Sequence, residues 1–240
     1  MFGLSTEFIV DAITTSLRLS TDPPLDEKSL MPISQSVLTM DSVLLEPLEE
    51  HHFDGILASV QDPSVWKYMS FADLSDPKAV RSWFDLALQE PGKGIGAPFA
   101  ILDRNSAMVL GSTSLYEIHL RHKRCELGRS WLVPSVRRTG VNTRSKLLML
   151  TYAFENMEMQ RVQLKASFKN EVSRRAIESI GGKFEGTMRN FSLLPGGIRS
   201  DAALYSIIAE EWPTVKQALI ARIERLPETS HSWNDQVTTS

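Results

Sequence analysis

The chain has 240 residues, 42% hydrophobic and 23% charged, which suits a globular protein with one large domain and a sizeable core. A formal charge of −3 offers no broad cationic footprint for nucleic acid, and no apolar run approaches the ~20 residues needed to span a bilayer. Cys125 is the only cysteine, so an intrachain disulfide is excluded and a reducing, cytoplasmic setting is expected. No local motif supplies a base to make its thiolate, so Cys125 reads as a small buried strand residue.

Residues 1–36 read as a weakly structured extension. Their apolar stretch Phe8-Ile9-Val10-Asp11-Ala12-Ile13 is interrupted by acid and lacks the basic start of a secretory signal. It is also neither Arg-rich nor acid-poor, as a mitochondrial presequence would be. Thr21-Asp22-Pro23-Pro24 marks a linker. The folded domain is expected over 37–226, followed by a polar tail, 227–240.

Within the domain, Val43-Leu44-Leu45 reads as a short strand closed by Pro47. Phe53, Ile56, Leu57 and Val60 share a helical face, Pro63 opens a second helical patch, and Asp76-Pro77 opens a third through Phe84 and Leu88. Trp66, Tyr68, Trp83 and Phe84 on these helices read as core before acceptor pocket. Strands follow: Phe99–Leu102, a turn at Asp103-Arg104-Asn105-Ser106, Met108–Ile118, then Arg124–Val133. Arg121-His122-Lys123-Arg124 reads as a solvated hairpin loop. Alternation on the last strand puts Glu126, Gly128 and Ser130 on one face, and Cys125, Leu127, Arg129 and Trp131 on the other.

A periodic helix is expected over Asn142–Met157, a strand over Arg161–Ser167, and a helix over Glu171–Ile180 ended by Gly181-Gly182. Strands Phe184–Phe191 and Ala202–Ala209 flank the turn Leu194-Pro195-Gly196-Gly197, and a last helix runs from Glu210 to about Leu226. The order implies a mixed α/β domain around one sheet.

The stretch that carries chemistry is Trp131-Leu132-Val133-Pro134-Ser135-Val136-Arg137-Arg138-Thr139-Gly140-Val141-Asn142: strand, proline, basic turn, helix. Free N–H groups and the macrodipole at a helix start favour a phosphate, and glycine permits its close approach. Arg137, Arg138 and Arg144 would add positive charge. A second strand-to-helix unit follows, Val162-Gln163-Leu164-Lys165-Ala166 and then Asn170-Glu171-Val172-Ser173. In this order the two units resemble the GNAT acetyltransferase superfamily, and its RimJ/RimL-like branch most closely. Val43-Leu44-Leu45-Glu46-Pro47-Leu48, Glu126-Leu127-Gly128, Ala153-Phe154-Glu155 and Phe184-Glu185-Gly186-Thr187-Met188-Arg189 extend the resemblance over residues 37 to 226.

The resemblance implies a central, mostly antiparallel sheet of six to seven strands, with helices on both faces. Glu126–Leu132 and Val162–Ser167 would be its splayed parallel pair. It implies that acetyl-CoA binds through Arg137, Arg138, Thr139, Gly140, Val141 and Asn142, with Asn170 and Ser173 contacting the coenzyme. Asn142 departs from the small residue usual there and is expected to cap the helix. An amine acceptor would attack the thioester directly, with Glu126 as first choice of general base and Glu117 as second. The tyrosine that often protonates the leaving thiolate is replaced by Ile177. Neither nucleic acid nor membrane is an expected partner, and the chain would be a monomer or homodimer. His51, His52, His119, His122 and His231 suggest no cluster with supporting carboxylates, so no metal is expected.

Overall fold

The computed structural model describes residues 36–69 and 76–226. The expected N-terminal extension (Ser36 excepted), its linker and the C-terminal tail lie outside the described residues. Eight strands form one sheet in the order β1-β2-β3-β4-β5-β6-β8-β7. They are β1 (Leu38–Met40), β2 (Val43–Pro47), β3 (Gly96–Asp103), β4 (Val109–His119), β5 (Arg124–Leu132), β6 (Arg161–Ser167), β7 (Lys183–Leu194) and β8 (Ile198–Ile208). The extra strand relative to the sequence expectation is β1, whose three residues are too few for periodicity to reveal. Pairing is antiparallel throughout except between β5 and β6.

Six α-helices cover the sheet among the described residues: α1 (Phe53–Ser59), α2 (Pro63–Trp66), α3 (Pro77–Gln89), α4 (Val141–Thr151), α5 (Glu171–Ser179) and α6 (Trp212–Glu224). Their starts have local causes. Asp62 and Asp76 accept from the backbone N–H of Ser64 and Lys78, and each precedes a proline at the first helical position. A π-helical turn, Tyr152–Asn156, extends α4.

The sheet separates two cores, and β3 shows the division. Phe99 and Ile101 belong to the core that includes α4 and α6, whereas Ala100 and Leu102 belong to the one under α1 to α3. Trp66, Trp83 and Phe84 pack into the second core, as expected, but Tyr68 does not: it belongs to neither core, and Lys67 lies over its ring. The periodicity of α4 proves misleading: the helix is buried nearly all round, Arg144, Ser145 and Lys146 included. It lies between the sheet and α6, so no side of its first turns is left for solvent.

The alternation expected along β5 holds only as far as Gly128. Ser114 pairs with Gly128 and Ser112 with Trp131, so Thr113 alone faces Arg129 and Ser130. Arg129 has φ 49°, marking a β-bulge. The extra residue resets the phase, so Cys125 and Leu127 pack in one core and Trp131 in the other. There Trp131 meets Trp83 at 5.1 Å between ring centroids and donates its indole N–H to Ser59 Oγ.

Beside the bulge, Gly111 lets β4 lie directly against β5. A Cβ at Gly111 would stand 2.0 Å from the backbone oxygen of Trp131. Gly111→Ala must push the strands apart, and a loss of about 2 kcal/mol or more is expected in urea unfolding.

Candidate active site

The parallel pair β5–β6 is joined over only three residue pairs: Arg124 with Arg161, Cys125 with Val162, and Glu126 with Gln163. Beyond Glu126 the ladder ends and the strands diverge. The β5 backbone from Leu127 to Leu132 thus faces a cleft rather than a partner strand, matching the expected splay.

Glu126 sits at the throat of that cleft and is only 1% exposed. One carboxylate oxygen accepts from the Tyr116 hydroxyl. The other accepts from Gln163 Nε2 at 2.9 Å and lies 2.7 Å from Lys165 Nζ. Burial, and then the charge of Glu126, push the Tyr116 hydroxyl well above its ordinary range, so it stays protonated and donates. Arg129, turned by the bulge, lies 4.2 Å over the Tyr116 ring and pairs with Glu90. Glu117, at φ 48° near the end of β4, is half-exposed and stands 3.6 Å from the same Lys165. The structure therefore brings both sequence-chosen carboxylates to one lysine.

At the far end of β5, Pro134–Val136 form a short 3₁₀ turn leading to α4. The N-cap of α4 is Gly140, at φ 93°, without a side-chain cap. Asn142 is the second residue inside the helix, so the expectation that it caps the start is corrected. The chain enters through the left-handed conformation of Gly140, which shifts the start upstream. Because no side chain caps this end, its leading N–H groups can serve an anion. A Cβ on Gly140 would also meet Arg144 Nη1 and Leu226 Cδ1, each at 2.5 Å.

Arg138 is exposed at φ 65°, and Thr139 donates its hydroxyl to Val136 O. Arg137 donates to Leu132 O and Ser64 Oγ, bracing the turn against α2. Arg144 reaches the start of α4 from the protein side, with its Nη1 against Gly140. It is buried and paired with Asp41 at 2.7 Å, because its place one helical turn after Gly140 aims it at the β1–β2 turn. After β6, Asn170 caps α5 by accepting from Ser173 N at 3.1 Å. The cleft between β5 and β6 is thus continued at its open end by the starts of α4 and α5.

A family model described as "Acetyltransferase (GNAT) domain" matches residues 42–183. The chain belongs to the GNAT acetyltransferase family. It is 33% identical over 102 residues to "Putative ribosomal N-acetyltransferase YdaF" of Bacillus subtilis (strain 168), covering 42% of this chain and 55% of that protein's length. A GCN5-related N-acetyltransferase from Brucella melitensis superposes with TM-score 0.72 at 26% identity, covering 82% of this chain and 89% of that one. Mycobacterium smegmatis RimJ, solved in complex with CoA-disulfide, superposes with TM-score 0.66 at 22% identity, covering 78% and 93% respectively. These matches agree with the acetyltransferase superfamily suggested by the sequence. The family uses acetyl-CoA, and an uncapped helix start beside an unpaired strand edge suits a phosphate with an extended arm.

Three other groups are decided by their surroundings. Burial, helped by the charge of Glu126, pushes the Cys125 thiol up to about 12, which leaves it a protonated strand residue. Ile177 is buried in the core, so its position serves packing.

The histidine expectation needs correction, because the fold brings Glu46 to His51 and His52, which the spacing alone did not show. His52 Nδ1 accepts the backbone N–H of Glu49 at 3.0 Å, and burial lowers its pKa. Its one proton then sits on Nε2, facing Glu46 Oε2 at 3.2 Å, which leaves that nitrogen no lone pair for a metal.

Sequence reasoning also passed over Lys146. The residue is 6% exposed, and among the described residues its amine meets the hydroxyls of Thr113, at 3.1 Å, and Ser130, at 2.5 Å. Burial without a carboxylate pushes it down to about 7 from an ordinary 10.5. Between those values the unfolded chain holds a proton that the folded chain lacks, so this group makes stability rise with pH across that window. The stability of wild type relative to Lys146→Met should therefore rise from pH 7 to 10, with a slope approaching about 1.4 kcal/mol per pH unit. Urea unfolding of both proteins at matched pH checks this; parallel curves would refute it.

Proposed function

We propose that this protein transfers the acetyl group of acetyl-CoA to an amine, by direct attack within a ternary complex. The observation that carries the reading is the unpaired β5 edge between the throat at Glu126 and the uncapped start of α4 at Gly140. The pyrophosphate would rest on the N–H groups of the turn from Arg137 to Asn142. Arg138 supplies charge, Arg137 braces the turn, and Asn170 and Ser173 form the facing wall. The pantetheine arm would add to the free edge of β5 as a strand does, where backbone N–H groups can polarise the thioester carbonyl.

The acceptor ammonium must lose a proton before its nitrogen has a lone pair. Of the two carboxylates, we assign this step to Glu117, which reverses the order expected from sequence. Glu126 is buried and already engaged by Tyr116, Gln163 and Lys165, whereas Glu117 is half-exposed and touches the cluster only through Lys165. The amine proton passes to Glu117 through water, and nitrogen attacks the carbonyl. The attacking nitrogen, now positively charged, gives its second proton to solvent as the C–S bond breaks, and solvent protonates the thiolate, since Ile177 offers no acid. Glu126 holds the throat closed.

A small-molecule amine is the acceptor proposed, because the near-neutral charge gives no particular complement to a ribosomal partner. The name of the Bacillus subtilis relative makes a protein N-terminus the second reading.

A panel of amines and peptides with acetyl-CoA, read by thiol release and product mass, distinguishes these acceptors. Coenzyme binding without turnover across the panel would instead indicate a non-catalytic module. Glu117→Gln should lower kcat/KM about a hundredfold and flatten its low-pH limb. Glu126→Gln should lower the unfolding midpoint while keeping the shape of the pH profile. The opposite pattern would return the base to Glu126.

A further inference from the structure

Lys146 is a buried amine that the proposed chemistry leaves unused, and its position is informative. It lies in the second turn of α4, the helix whose first turn begins at Gly140. Its two partners stand on either side of the break in the β4–β5 ladder: Thr113 is the β4 residue facing the bulge, and Ser130 is one of the two β5 residues opposite it. Their hydroxyls are 2.8 Å apart, and Ser130 Oγ lies 3.0 Å from Gly128 O. Where the backbone ladder is interrupted, a side-chain bridge headed by Lys146 takes its place.

We propose that Lys146 is a positioning residue for acetyl transfer, fixing the bulged half of β5 and its free edge relative to the phosphate cradle on the same helix. This role rests on the acetyl-CoA reading above. The alternative is a merely structural side chain. A lysine is a poor choice for that: desolvation without a carboxylate destabilises the fold, and methionine would fill a similar volume at less cost. A single helix linking cradle and bulge sets the distance between the coenzyme's phosphate and its thioester. Misplacement by about 1 Å can cost a hundredfold in rate.

The experiment compares full-length wild type, Lys146→Met, Ser130→Ala and the double variant. Lys146→Met should melt no lower than wild type and bind CoA within about twofold by calorimetry, since backbone groups form the cradle, while kcat falls roughly tenfold or more. Amide hydrogen exchange over residues 127–133 should quicken, a readout independent of turnover. The double variant should be no slower than the worse single one beyond about twofold, because both act through one bridge.

Unchanged kcat and exchange in Lys146→Met would overturn the proposal, and so would single losses that multiply in the double variant. If Lys146→Met fails to fold, Ser130→Ala must show the same kcat loss with CoA affinity intact, or the proposal falls. A wild type that neither binds CoA nor releases thiol overturns the acetyl-transfer reading first, and the positioning role with it.

Discussion

Much of the molecule depends on a mismatch between two neighbouring ladders. β6 is paired with β8 along its whole length, from Arg161 with Ile208 to Ser167 with Ala202, which holds it to one course. β5 takes its course from β4, and that ladder is interrupted at the bulge opposite Thr113. The extra residue bends and twists β5 away from β6, and the parallel pairing ends after Glu126. A break in one ladder beside a continuous one opens a cleft without removing a strand. The site proposed for the coenzyme runs along the edge so exposed and ends at the starts of α4 and α5.

An opening in a sheet exposes backbone groups and invites collapse, so the throat must be held. The charged cluster there suits that task better than it suits stability. A buried ion pair such as Lys165–Glu126 gains in attraction about what it loses in desolvation, and hydrophobic replacements are often as stable. Its directional contacts, from Tyr116 and Gln163 as well as Lys165, define a geometry that apolar packing would leave loose. Lys146 follows the same logic on the opposite face, at the bulge itself.

Several elements were legible because their signals are local. Asp76-Pro77 starts a helix through its own side chain and ring, and Pro195–Gly197 turn the β7–β8 hairpin through glycines at positive φ. Alternation located most strands, and two strand-to-helix units in the right order located the cleft. The bulge was not legible: Arg129 takes a left-handed φ without being glycine or asparagine, so nothing marks the phase change that sends Trp131 to the other core. The cap was misread for a related reason, since Gly140 moved the helix start two residues upstream of Asn142.

By itself the sequence determined the family and the order of elements, because these follow from periodicity, turn chemistry and collinear motifs. Tertiary structure alone decided which carboxylate is buried and engaged and which stays accessible, where Arg144 points, and that Lys146 lies within the protein. Each of those depends on neighbours far along the chain: Lys165 for Glu126, Asp41 for Arg144, Thr113 and Ser130 for Lys146. A charged residue in a helix or strand carries no local sign of whether water or another strand will meet it. Its role was set when the strands around it paired, and at β5 where they stopped pairing.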